Sequence, residues 1–311
     1  LGLATAGAPV AFAAWLLVLG VFSSIYHPVG SAMLVTHASG RLGRELGRNG
    51  VWGNLGAASA SGVTAFLAAS LGWRAAFVVP GLVCLAAGAA FVALVPGDGE
   101  TKRKEAGAKA EIPVTRPAML LALFALAIVA GGITFNVTTI ALPKVIDERL
   151  GLPLPLAITG SLATAVFVFG ALAQLVMGRL VDRYPLPQIF VGLSILQPVG
   201  LGLAAAASGL PMLVGLILAM AAIYGQVVIN DAMVARYVPA RYRAKAFSVR
   251  YFLGFTTSGL AVPLIAALHG LNGFTLLLAV AASFGAVIFA CSVGFMLAAQ
   301  IAPAEEAVPA E

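Results

Sequence analysis

The chain is written as long apolar blocks with its polar residues gathered in the gaps between them. Nine blocks run roughly over 11–35, 51–71, 75–96, 118–141, 156–177, 188–208, 210–234, 247–268 and 273–300. Each approaches the roughly 20 residues that carry a helix through a hydrocarbon layer about 30 Å thick, at about 1.5 Å per residue. The pattern therefore predicts nine spanning helices. Asp231 and Arg250 put the only formal charges inside the blocks. Residues 1–8 (LGLATAGA) are apolar but too short to span, and they lack the basic lead of a signal peptide. They read as the stub of a further helix.

Composition agrees. Of 311 residues, 61% are apolar and 10% charged, against about 25% charged in ordinary soluble domains, so a soluble globular protein is excluded. The net charge of +6 would suit a nucleic-acid partner only if the cations formed one patch. They do not. Loops 36–50, 97–117, 178–187 and 235–246, with Arg250 just beyond, hold 15 of the 18 Lys and Arg. Only Arg74, Lys144 and Arg149 fall in the alternate loops. That asymmetry places the first set in the cytoplasm of a cell (inner) membrane protein, with no nucleic-acid partner. Cys84 and Cys291 both lie in apolar blocks, which leaves no disulfide framework and no Cys-based metal site.

Segment 97–117 (GDGETKRKEAGAKAEIPVTRP) is the one long charged stretch and reads as a cytoplasmic linker. It separates a partial transmembrane bundle over 1–96 from a six-helix bundle over 118–300, with a cytoplasmic tail at 301–311. A repeat supports the division. Arg41 and Arg48 precede one span as Arg243 and Arg250 precede another, each pair offset by 202 positions, and each is followed by a glycine-bearing helix and a short turn (SLGWR; LHGLNG). Repeated halves are a common way to build transporters.

Residues 178–183 (GRLVDR), after the span 156–177, resemble the Gly-x-x-x-Asp-Arg loop motif of the major facilitator superfamily. Residues 72–77 (GWRAAF) are similar to its turn between helices five and six, and the charged linker falls where that family joins two six-helix bundles. The resemblance implies an all-α, polytopic, two-bundle membrane fold, its first bundle incomplete: a stub of helix three, helices four to six, then helices seven to twelve. There are departures. No first-half copy of the loop motif is present, Leu16 stands where the family often carries Arg, and NGVWGNLGAA has Asn54 at the proline position of the antiporter motif.

The implied function is secondary active transport of a small solute by alternating access, coupled to protons, in a monomer without cofactor or metal. The alternatives are a transport-incompetent fragment, the pore subunit of an ATP-driven permease, and a membrane enzyme, for which neither HExxH nor GxSxG is present. By the resemblance, the cavity-facing helices offer Tyr26, His27, Asn54, Asn136, Gln174, Tyr224 and Gln226 as solute contacts. The competing reading is that such residues glue helices together. Gln197, beside Pro198, is assigned to a peripheral helix and left out. His27 is also the proton-coupling candidate, since imidazole titrates near neutrality, and Pro28 beside it predicts a kink. His37 and His269 are expected to be solvated. For gating, Gly178 allows close approach and Asp182 is expected at the N-terminus of the helix starting near Ala246. Arg179 or Arg183 would reach Asp231, with a permanent Asp231 pair to Arg236 or Arg250 as the alternative. The scarcity of charge at membrane depth favours a neutral or weakly charged solute, or an anion where His27 is protonated.

Overall fold

The computed structural model describes residues 1–38, 41–95, 116–151 and 156–300, apart from the side chains at 57, 58, 60–62, 65, 156, 157 and 300. Among these residues every regular element is helical. A single turn, α1 (Gly2–Thr5), precedes α2 (Pro9–His37), α3 (Leu42–Leu71), α4 (Ala75–Leu94), α5 (Pro117–Arg149) and α6 (Leu156–Arg183). Then come α7 (Leu186–Ser194), α8 (Leu196–Ala206), α9 (Gly209–Tyr237), a 3₁₀ turn at Ala240–Tyr242, α10 (Arg243–Thr256) and α11 (Ser258–Gln300). Among the described residues, seven helical stretches are long and apolar enough to cross a membrane, the last covering 60 residues.

All nine blocks are helical, and some details differ from the expected spans. The block 188–208 is divided at Ile195 into α7 and α8. Pro198 supplies no N–H to the Ser194 carbonyl, which weakens the helix there. The block 247–268 is likewise divided, at Thr257 between α10 and α11, and its second part joins the last block in α11, where the expected LHGLNG turn shrinks to Asn272 and Gly273, the latter at φ +57. A left-handed residue of this kind is glycine's province. Around Pro28, in contrast, α2 runs unbroken from Pro9 to His37. The linker residues 97–115 and the tail 301–311 lie outside the described residues.

The best enclosed helix is α9, where Met212, Leu216, Ala219, Met220, Ile229 and Ala232 are fully buried. It packs among α5, α6, α7, α8 and α3. Lipid tails solvate apolar side chains well, so such contacts depend on close backbone approach and hydrogen bonds. Small residues supply the approach. A Cβ at Gly200 of α8 would collide with the backbone of Gly215 and Ala219 on α9. Arg149, closing α5, donates to the carbonyls of Ala204 (2.9 Å), Ala205 (2.9 Å) and Ala207 (2.8 Å), satisfying the open C-terminal end of α8. On the other side, α3 lies along α6 and α2 lies along α10, so two long seams join elements from before and after residue 97.

Candidate functional site

Between α2 and α10 lies a cavity of about 990 Å³, lined from α2 by Gly20, Ser23, Ser24, Tyr26, His27 and Pro28. From α10 come Ser248, Tyr251, Phe252, Phe255 and Thr256. The α10 wall is aromatic because Tyr251, Phe252 and Phe255 line it, Tyr251 and Phe255 continuing at four-residue spacing a row that begins at the buried Phe247. Tyr251 and Phe255 stack at 5.8 Å and 17°, and Phe247 continues the row at 6.4 Å from Tyr251. His27 faces this row, 4.7 Å from Tyr251 and 5.4 Å from Phe255, with Tyr26 5.4 Å behind it.

Behind Tyr251 sits a buried ion pair. Arg250 Nη1 lies 2.6 Å from Asp231 Oδ1, with side chains only 7% and 10% exposed. The Tyr251 hydroxyl donates to the same oxygen at 3.3 Å and is 3.1 Å from Ser31 Oγ on α2. The Arg250 guanidinium also lies over the Tyr251 ring, 4.5 Å from its centroid. One tyrosine thus contacts the cavity with its ring, α9 with its hydroxyl, and α2 through Ser31. Sequence reasoning missed Tyr251, Phe252, Phe255 and Ser31; the four-residue aromatic spacing was the available signal.

The expected partners of Asp231 need correction. Arg179 and Arg183 are exposed and do not reach it, and Arg236 turns away to donate to the Val181 carbonyl at 2.7 Å. The pair with Arg250 is the arrangement found. Asp182 is corrected likewise. Its carboxylate accepts the backbone N–H of Gly43 (2.8 Å) and Arg44 (2.9 Å). It therefore sits at the N-terminus of α3 and not at the helix near Ala246. Unpaired N–H groups and the helix dipole favour an anion at that end.

Around this cap, α3 and α6 meet backbone to backbone. A Cβ at Gly43 would strike the Gly178 carbonyl, one at Gly178 would strike that of Gly43, and one at Gly47 would strike that of Gln174. Further along, Asn54 Nδ2 donates to Gln174 Oε1 at 2.7 Å, and Gln174 Nε2 donates to the Tyr224 carbonyl at 3.2 Å.

Of the seven proposed solute contacts, the structure brings Tyr26 and His27 to the cavity. Asn54 and Gln174 lie in the α3–α6 seam. Asn136 donates to the Gly132 carbonyl and to Thr257 Oγ1. Tyr224 is buried against Phe135 and Phe167. Gln226 is buried and accepts from Gln197 Nε2. That bond also corrects the assignment of Gln197 to the periphery, since its side chain is buried in the helix core. His37 bonds the Met33 carbonyl (2.8 Å). His269 keeps a side chain 40% exposed, which also pairs with Glu148 at 3.1 Å and packs on Phe274.

A search of curated proteins gave no match. Among solved structures, FucP, a Major Facilitator Superfamily transporter crystallised in the outward conformation, matches with a TM-score of 0.67 at 12% identity, covering 92% of this chain and 76% of that one. At that identity the likeness concerns the fold. The sequence profile of the Major Facilitator Superfamily matches residues 1–167 and again 123–310. With two overlapping matches spanning nearly its whole length, on a polytopic helical fold of the same kind, the chain belongs to the Major Facilitator Superfamily, a family of membrane transport proteins and not of enzymes.

Proposed function

We propose that this chain carries a small solute across the cell membrane by alternating access, coupled to proton movement and acting as a monomer. The loops rich in Lys and Arg, the linker at 97–117 and the tail at 301–311 lie on the cytoplasmic side. Residues 1–96 and 118–300 act as the two moving bodies. Tyr26 and His27 contact the solute, and His27 takes up the coupling proton. Gly178, Asp182, Asn54 and Gln174 form the seam that parts. Asp231 and Arg250 hold α9 to α10.

The observation that supports this reading best is the chemistry of the α3–α6 seam. It combines bare glycine backbone, one carboxylate on two amide protons and one side-chain amide bond. None of these demands a deep side-chain interlock, so the seam can separate and re-form at low cost. The amide bond contributes about 1 kcal/mol and each bond to the Asp182 carboxylate about 1.5–3 kcal/mol, amounts that a bound solute or proton is able to offset.

Spin labels at Arg44→Cys and Arg183→Cys, with Cys84 and Cys291 replaced, measure the seam in lipid nanodiscs by pulsed electron resonance. Two interchanging distance populations are expected, with their ratio moved by pH in the parent protein and insensitive to pH in His27→Gln. A single distance at every pH overturns alternating access, and an unchanged pH response in His27→Gln overturns its coupling role.

A further inference from the structure

Within that reading, the cavity wall narrows the class of solute. None of its lining residues is Asp, Glu, Lys or Arg. The charges behind it, Asp231 and Arg250, are already joined to each other. While His27 is neutral, a charged solute would lose hydration here without finding a free counter-ion, which is costly in an apolar setting. The rings give the wall its shape. Phe252 and Phe255 stand 70% and 53% exposed, so aromatic surface is uncovered beside the row formed by Tyr251 and Phe255.

The hydroxyls give it polarity. Ser24 donates its single O–H to the Val21 carbonyl (2.7 Å), Ser248 to Ala244 (3.0 Å) and Thr256 to Phe252 (2.7 Å). A hydroxyl has one proton to give and two lone pairs to offer. These three therefore face the cavity as acceptors. Ser23, Tyr26 and His27 retain the capacity to donate or accept, which leaves the lining richer in acceptors than donors.

We propose that the cavity between α2 and α10 binds an uncharged, flat solute that bears an N–H or O–H donor, laid against Phe252 and Phe255 with its donor toward the hydroxyls of Ser24, Ser248 and Thr256.

Indole is a suitable probe, measured by equilibrium dialysis against the full chain in nanodiscs, with empty nanodiscs as control. Saturable binding to the loaded discs is expected. It should weaken about threefold to tenfold in Phe252→Leu or Phe255→Leu. Replacing indole by 1-methylindole, which has the same face but no donor, should weaken binding about as much. At about pH 8.5, where imidazole is neutral, tryptamine and indole-3-acetate, the cationic and anionic relatives, should fail to compete. Equal uptake by empty and loaded discs overturns the proposal, as does competition by either charged analogue at concentrations similar to indole. The analogue series on the parent protein decides the matter even where a variant does not fold. Loss of indole binding with the seam still exchanging between two distances removes this proposal alone; a static seam with indole binding intact removes the transport reading alone.

Discussion

Asp231 shows how a single residue's role depends on its surroundings. At membrane depth an unpaired carboxylate is expensive, so Asp231 requires a partner, and that much follows from its place in an apolar block. Which arginine answers depends on how α10 is rotated against α9. Arg250 points inward to the pair while Arg48, its repeat counterpart, stays on the surface with Glu45 at 3.3 Å. Arg250→Met alone leaves a buried uncompensated carboxylate, and it should destabilise the protein by about 3–5 kcal/mol in reversible unfolding from lipid-detergent micelles. Asp231→Leu together with Arg250→Met should recover most of that loss. A double variant as unstable as the single one would show that the pair does more than neutralise itself. Asp182 makes a smaller, directional contribution. Asp182→Asn keeps an acceptor but removes the charge facing the α3 N-terminus. The closed-seam population should fall about fivefold, corresponding to about 1 kcal/mol, as read from the Arg44–Arg183 label distances.

Among the helices, α3 and α6 depend on the absence of side chains where they cross. The run from Leu42 to Leu71 is rich in Gly, Ala and Ser, a composition that suits close helix packing. The partner was not legible, because glycines at 43 and 47 signal that something approaches without saying what. Gly178 and the Gln174 carbonyl fill that place. Gly178→Ala puts a methyl group against the Gly43 carbonyl, so the label distance across the seam should lengthen in the closed population, with little change in the stability of α9 and its neighbours. An unchanged distance would mean that the seam already has slack. The division of α7 from α8 belongs to the same scale. Pro198 was visible in the sequence, but a proline permits either a kink or a continuous helix, as Pro28 in α2 illustrates.

For the whole molecule, the charge asymmetry predicts which ends of the helices share a compartment. Lys144 and Lys245 are both exposed and belong to opposite sets of loops. In intact cells an impermeant amine reagent should modify Lys144 severalfold more than Lys245, and permeabilised cells should lose the difference. Preferential labelling of Lys245 would invert the topology. The positions of the spans and the grouping of the cations were readable from residue order alone, because hydropathy and charge are properties of short stretches of chain and act on a bilayer with no knowledge of the rest of the fold. The Asp231–Arg250 pair, the cap of Asp182 on α3 and the ring-lined cavity were decided only by the packed helices. Each depends on which faces of sequence-distant helices turn toward each other, and an almost uniformly apolar helix carries little periodicity from which to read that rotation.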